Sequence, residues 1–172
     1  MKKFGFLLLL VMFALSSKAQ VYIAGSTSLW HNHDAEITSF SVIPEVGYNF
    51  NKQWAVGAAF GFSHNEFENI NYDHNSFLFN PYVRYSFYEN KLVRLFIDGS
   101  LGISSNNYEH GDSNSGFEFG FKPGIAVKLN NHFSLLAKCG FLGFRDDYAY
   151  GENGYGFSFD TENLSLGVHY EF

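Results

Sequence analysis

The chain has 172 residues, enough for one domain, and it carries a formal net charge of −6. This acidic balance argues against nucleic acid as a partner. Aromatic residues make up 20% of the chain, more than a soluble core of this size requires and typical of a protein that meets a membrane interface. Cys139 is the only cysteine, so no internal disulfide holds the fold.

Residues 1–19 have the three parts of a secretory signal peptide: the basic head MKK, the apolar run FGFLLLLVMFAL and a short tail of small and polar residues. The apolar run falls short of the ~20 residues that a membrane-spanning helix needs. We predict cleavage after Ala19 and a mature domain at residues 20–172, with an N-terminal membrane anchor as the alternative. The mature chain then has eight basic and 17 acidic residues, a net charge of −9.

Eight stretches of the mature chain alternate between large apolar residues and small or polar ones, which is the period of a β-strand. In chain order they are VYIAGSTSLW, TSFSVIPEVGYNF, WAVGAAFGF, FLFNPYVRYSF, VRLFIDGSLGI, FEFGFKPGIAVKL, FSLLAKCGF and the closing NLSLGVHYEF. Three connections, NKQ, YENK and NNH, are tight and polar, and the four between them are longer. Connections that alternate between short and long are typical of an up-and-down barrel that has short turns at one end.

Three of the predicted hairpins share one plan: an alternating strand that contains a proline, a tight turn and a second alternating strand. The prolines are Pro44, Pro81 and Pro123, and each precedes its turn by a similar distance. Because proline inside a strand normally marks an edge or a bulge, we expect a local bend in the wall at each.

The apolar face of these strands is predicted to point outward. Eight strands enclose a space just wide enough for side chains, which rows of Phe, Leu and Tyr would overfill and which small and mixed polar residues fit. An outward apolar face needs lipid around it, and the sheet must close because unpaired strand edges cannot exist in hydrocarbon. We therefore predict an all-β fold, an eight-stranded antiparallel up-and-down transmembrane β-barrel. A secreted soluble barrel of the lipocalin type is the alternative.

The inward face carries a sparse set of charges of both signs. An isolated buried charge costs several kcal/mol, so we predict that the bases pair with the acids and plug the lumen. The predicted structural network consists of Glu45, Arg84, Arg94, Asp98, Glu118, Lys122 and Lys138.

The sequence lacks the Gly-x-Ser-x-Gly and His-Glu-x-x-His motifs and a phosphate-binding glycine loop. The nearest approach to a catalytic set is Ser63, His64 and Glu66, but neighbouring residues of a strand point to opposite faces. Several histidines lie in the long connections, and the two of HNHD could share a metal ion. The histidines of the long connections are His31, His33, His64, His74 and His110. We interpret them as ordinary loop residues and predict no catalytic, cofactor or metal site.

The signal peptide, the eight segments, the tight turns on one side and the terminal aromatic of VHYEF resemble the small outer-membrane barrels of the OmpA/OmpX type. The resemblance covers the whole mature chain. It implies a monomer in the outer membrane of a Gram-negative-type bacterium, surrounded by lipid and lipopolysaccharide. The C-terminal pattern formed by Tyr170 and Phe172 resembles the signal by which the barrel-assembly machinery recognises its substrate proteins.

Export delivers the N-terminus to the periplasm and eight strands return there, so both termini are predicted periplasmic and the four long connections external. Two functions remain: a non-enzymatic structural or surface-interaction barrel with a largely plugged lumen, or a narrow barrel for the passage of small or apolar solutes. The long connections carry ten acids against the single base Arg145, and we expect this rim to need divalent cations beside lipopolysaccharide and to favour cationic partners. The acids are Asp34, Glu36, Glu66, Glu68, Asp73, Glu109, Asp112, Asp146, Asp147 and Glu152.

Overall fold

A computed structural model describes residues 20–32, 37–67, 72–108, 113–149, 153–158 and 165–172. Within these ranges the regular structure is all β, and no helix is long and apolar enough to cross a membrane. The strands are β1 (Gln20–Asn32), β2 (Ile37–Asn49), β3 (Trp54–Phe67), β4 (Tyr72–Glu89), β5 (Val93–Tyr108), β6 (Asn114–Lys128), β7 (Phe133–Lys138), β8 (Phe141–Asp146), β9 (Gly154–Ser158) and β10 (Ser165–Glu171).

The strands form one closed antiparallel sheet. Each strand from β1 to β6 pairs with the next one along the chain, and β10 pairs with both β7 and β1, which completes the ring. β7 and β8 both pair with β6, so they are two halves of one strand position in the barrel, which we call the seventh wall. β10 pairs with β7 and β9 pairs with β8, so these two strands form the eighth wall. The barrel therefore has eight walls, and the predicted fold class is confirmed.

The seventh wall is interrupted by a β-bulge between its two halves. Gly124 of β6 pairs with Lys138, whereas Phe121 of β6 pairs with Leu142, so two residues of β6 face three of the seventh wall. Gly140 has a φ of 76°, a left-handed conformation that glycine adopts without steric cost. The bulge reverses the inward and outward alternation from this point on.

The three prolines coincide with irregularities in the ladder. Pro123 lies at the bulge, where its carbonyl oxygen accepts a hydrogen bond of 3.1 Å from the backbone N–H of Cys139. Beside Pro44 and Pro81 the ladder lacks bridges to one neighbouring strand, but the register on either side is unchanged. Only Pro123 is thus associated with a change of register.

The outward face forms an apolar band of limited height. On β4 the outward side chains from Phe77 to Phe87 are large and, apart from Pro81, exposed, and on β5 the outward residues become polar at Ser105, beyond Ile103. Ten residue steps of ~3.3 Å span about 33 Å along a strand, or about 25 Å for a strand tilted by ~40°, which is the height of the apolar band of outer-membrane barrels. The predicted outward apolar face is confirmed.

An asparagine side chain closes each of the three tight turns. The Oδ1 atom of Asn51 accepts hydrogen bonds from the backbone N–H groups two and three positions on, at 2.8 and 2.9 Å. Asn90 and Asn130 accept the equivalent pairs at 2.7 to 2.8 Å. This repeated Asx geometry is what the repeated hairpin plan predicts. We call this end of the barrel the tight-turn end; the opposite end, where β1 and β3 finish, is the loop end.

Candidate functional site in the barrel lumen

The lumen is lined by small polar residues that leave room for a few large charged ones. Along most of the wall, where side chains are described, inward residues alternate with outward ones, and most of the inward residues are buried. Serines and an asparagine supply much of this lining: Ser41, Ser63, Ser76, Ser100, Ser104 and Asn106. Their hydroxyl and amide groups provide hydrogen-bond partners where a barrel of this size has little space for larger side chains.

Four charged side chains meet in what we call the first cluster: Glu45, Arg84, Asp98 and Lys138. The Arg84 guanidinium binds Asp98 through two hydrogen bonds of 2.7 and 2.8 Å and lies 3.8 Å from Glu45. Lys138 Nζ lies 2.5 Å from Glu45 Oε1 and 3.3 Å from Asp98 Oδ2. Two bases thus balance two acids, and the bidentate arrangement is the strongest geometry available to an arginine and a carboxylate.

Aromatic side chains surround the first cluster. Tyr82 donates a hydrogen bond of 3.0 Å to Glu45, and the Tyr82 and Tyr22 hydroxyls are 2.9 Å apart. The Arg84 guanidinium lies 4.0 Å from the centroid of the Phe96 ring, within the range of a cation–π interaction. The cluster is therefore held by packing and hydrogen bonds as well as by charge.

The second cluster, nearer the loop end, is built on Glu118, which is fully buried at 0% exposure. One of its carboxylate oxygens accepts from Lys122 at 2.6 Å and from Asn80 at 3.1 Å, and the other from Arg145 at 2.7 Å. Arg145 also stacks on Phe141, with its guanidinium carbon 3.8 Å from the ring centroid. One acid here faces two bases.

Arg94, the seventh residue of the predicted network, joins neither cluster. It lies at the tight-turn end, where its guanidinium donates to Glu89 at 3.1 and 3.3 Å and lies 3.7 Å from Glu171. Glu171 also accepts from Asn49 at 3.2 Å and lies 3.6 Å from the ring of His169. The structure thus brings six of the seven predicted residues into two groups and places Arg94 in a third.

Two placements predicted from the alternation are wrong, and the bulge is the physical reason. The alternation predicts Phe141 on the outward face, but it is buried in the lumen; it predicts Arg145 in a long connection, but this residue lies on β8 with its side chain inward. An alternating pattern carried through Lys138 places every later residue of this wall on the wrong face. The one sequence signal for the break is Gly140, directly after Cys139.

Tyr148, which the sequence analysis did not single out, fills the lumen beyond the second cluster. Its side chain is buried, and its hydroxyl accepts a hydrogen bond of 3.3 Å from Asn80. The following backbone N–H, of Ala149, donates to Ser104 Oγ at 3.1 Å. A Cβ atom added to Gly102 would lie 2.7 Å from the Tyr148 ring. The segment after β8 therefore packs into the barrel mouth.

The residues closest to a catalytic or metal-binding pattern do not converge. Ser63 is buried and faces the lumen, whereas the His64 ring bonds Asn75 of the neighbouring strand at 2.9 Å, on the opposite face. The side chains of Glu66, His31, His33, His74 and His110 lie outside the described residues. Among the side chains that are described, no group of three or more His, Cys, Asp or Glu residues is arranged to hold a metal ion.

The residues of the predicted assembly signal lie at the tight-turn end. Tyr170 packs edge-on against Phe133 and Phe172, with centroid distances of 4.8 Å in both cases. The Phe172 side chain is 64% exposed, and its backbone N–H donates to Val21 at 3.1 Å. The side chain of Phe172 is therefore accessible although its backbone is fixed to β1.

Comparison with known proteins connects this architecture to a family. A model of the outer membrane protein beta-barrel domain matches residues 4–172. No match to a curated protein sequence was found.

The solved structures that are similar to the chain include the following three. Neisserial surface protein A is 16% identical, with a TM-score of 0.53 over 91% of this chain and 98% of that one. The Yersinia pestis attachment invasion locus protein Ail, in complex with the heparin analogue sucrose octasulfate, is also 16% identical, with a TM-score of 0.53 over 90% and 97%. A major outer membrane protein from Thermus thermophilus is 13% identical, with a TM-score of 0.56 over 91% and 100%. At these identities the likeness establishes the fold alone.

Proposed function

This chain belongs to the outer membrane protein beta-barrel domain family, and we propose that it is a closed, non-enzymatic barrel that supports the outer membrane and presents its loops for surface interactions. The observation that carries the proposal is the series of buried charged and aromatic side chains along the lumen. Moving from the tight-turn end to the loop end, the lumen holds the Arg94 group, the first cluster, the second cluster and Tyr148.

Buried ion pairs across the lumen oppose the passage of solutes. Asp98 and Glu118 are almost completely buried and are each bound by two basic side chains. Opening a path past either group breaks hydrogen-bonded ion pairs, and removing one partner of such a buried pair typically costs ~3–5 kcal/mol. The lumen is therefore better suited to stabilising the barrel than to conduction.

Conductance across a planar bilayer tests the proposal. The purified protein is inserted into the bilayer. The current recorded at low and at high voltage is then compared with that of a known porin. We expect no steady open state. A steady conductance, or facilitated flux of small apolar solutes into vesicles, would instead support the alternative of a narrow transport barrel.

We place both termini and the tight turns in the periplasm and the loop end outside the cell. Protease added to intact cells then cuts the connections at the loop end and leaves the NKQ, YENK and NNH turns intact. Cleavage confined to those three turns would invert this topology. Lipid and lipopolysaccharide surround the barrel in this arrangement, and we propose that it is a monomer.

The charge at the loop end favours cationic rather than anionic partners. Arg145 is engaged with Glu118 in the lumen, so the ten acids predicted at this end have no Lys or Arg among them. Three of these acids, Glu66, Asp73 and Asp146, lie on strands and not in connections. Such a rim repels anions and the phosphates of lipopolysaccharide unless divalent cations bridge them. Ail was solved with a heparin analogue, a polyanion, and we do not expect this chain to bind that ligand. Protection of the loops from protease by Mg²⁺, reversed by a chelator, tests the bridging.

A further inference from the structure

A groove of about 480 Å³ opens at the tight-turn end between the first two tight turns. Three lysines from separate elements line it: Lys52, Lys91 and Lys128. Two half-exposed aromatic side chains, Phe87 and Tyr88, lie along it as well. The groove thus combines a basic part with an apolar part.

The basic part carries more positive charge than its own acid neutralises. Glu89 is the only acidic residue that lines the groove, and it is already bound by both Arg94 and Lys128. Lys52 and Lys91 are exposed, and among the described residues neither has an acidic side chain within ion-pair distance. Two ammonium groups therefore remain available to an anion.

The position of the groove indicates the source of that anion. The strands beside it carry outward aromatic residues at this end, including Trp54 and Tyr85, whose rings are 4.7 Å apart. Aromatic belts of membrane proteins lie at the level of the lipid headgroups. Lysines just beyond such a belt keep their ammonium groups in the headgroup layer.

We propose that this groove binds the phosphate of an anionic phospholipid in the leaflet at the tight-turn end, with Lys52 and Lys91 on the phosphate and the aromatic edge beside the acyl chains. The proposal rests on the proposed function, because it needs the barrel to lie in a membrane. A phospholipid satisfies both parts of the groove, whereas a soluble anion satisfies the lysines only.

Lipid retention tests the site. The full chain is refolded into vesicles of mixed phosphatidylcholine and phosphatidylglycerol and extracted into mild detergent, and the lipids that stay bound are identified by native mass spectrometry. We expect phosphatidylglycerol to be enriched on the wild type. In the double variant Lys52→Gln/Lys91→Gln, the enrichment should fall by about fivefold for each lysine removed. The double variant Lys52→Arg/Lys91→Arg should keep the enrichment, because both positive charges are retained.

A variant with one positive charge returned elsewhere separates a built groove from a merely basic end. Asn131→Lys, added to Lys52→Gln/Lys91→Gln, places that charge at the third tight turn, outside the groove. Enrichment that stays low in this variant supports the site, whereas enrichment that rises about fivefold overturns it, as does equal retention by the wild type and the Gln variant. A wild type that never inserts into the vesicles refutes the proposed function as well; one that inserts but shows no enrichment refutes the lipid site alone.

Discussion

The ring of Tyr82 lies directly over Gly57 of the adjacent strand, so closely that a Cβ atom at position 57 would be 2.6 Å from the ring. The same Cβ would be 2.9 Å from the backbone oxygen of Val46, which cannot move away as a side chain can. The inward glycine thus makes the space in which Tyr82 reaches Glu45.

Gly57→Ala should therefore destabilise the barrel by ~1–3 kcal/mol, the usual range for overpacking a filled interior. Urea unfolding of the refolded protein in detergent or vesicles measures the loss. Gly25→Ala is the matched control, since a Cβ there meets nothing closer than 3.7 Å. Equal stability of the two variants would show that Tyr82 relaxes freely.

Arg84→Ala should destabilise the barrel by ~3–5 kcal/mol, because it leaves Asp98 with Lys138 as its remaining basic partner in a buried site. The double variant Arg84→Ala/Asp98→Ala should recover much of this loss, since it leaves the balanced pair of Glu45 and Lys138. A double-mutant cycle of unfolding free energies measures the coupling.

The matched cycle pairs Arg84→Ala with Glu118→Ala of the second cluster. These two residues form their ion pairs with different partners, so their effects should add. Coupling as large as that between Arg84 and Asp98 would mean that the two clusters act as one network.

The faces of the strands are predictable from sequence, but the partners inside the lumen are not. A period of two fixes whether a residue points inward or outward, which is why the outward prediction for Phe77, Phe79 and Val83 is correct. Lys138 meets Glu45 from 93 residues away, and that meeting depends on the stagger of the strands around the ring, which alternation does not encode. The bulge at Gly140 adds a change of face, and a single glycine in the sequence does not fix where the register with β6 shifts.

Tyr148→Ala should loosen the segment that packs into the loop-end mouth while leaving the wall intact. The amide of Ala149, which is bonded to Ser104 Oγ, should exchange with solvent deuterons faster, because the ring that holds the segment in the lumen is gone. NMR of the refolded protein in micelles follows this amide directly. Tyr155→Ala is the matched control, since its side chain is 90% exposed. An unchanged Ala149 rate would show that the ring does not hold the segment.

The order of this segment should also depend on pH through Asp147. Hydrogen bonds from Asn153 at 2.7 Å and Asn114 at 2.5 Å hold the pKa of the Asp147 carboxyl below its usual value. A lowered pKa in the folded state means that the stabilisation is present above the unfolded pKa and is lost as the pH falls through the folded one. The carboxyl carbon shift of Asp147, followed by NMR, should titrate at higher pH in Asn153→Ala; the distant Asn131→Ala should leave it unchanged. No movement in Asn153→Ala would contradict the assigned cause.

Phe172→Ala should impair assembly in cells far more than it impairs the stability of refolded barrel. The Phe172 side chain is 64% exposed and its main intramolecular partner is the edge of Tyr170, so little internal packing is lost on truncation. If the assembly machinery reads this aromatic, the surface level of the variant falls while its unfolding midpoint in vesicles stays near that of the wild type. Phe50→Ala is a close control, since Phe50 is 61% exposed at the same end and packs edge-on against Tyr48 as Phe172 does against Tyr170. Because the two phenylalanines are similarly exposed and have similar aromatic neighbours, a general loss of interfacial anchoring lowers the surface levels of both variants equally. Only a selective loss at Phe172 supports a recognition role, and equal surface levels of the two variants would refute it.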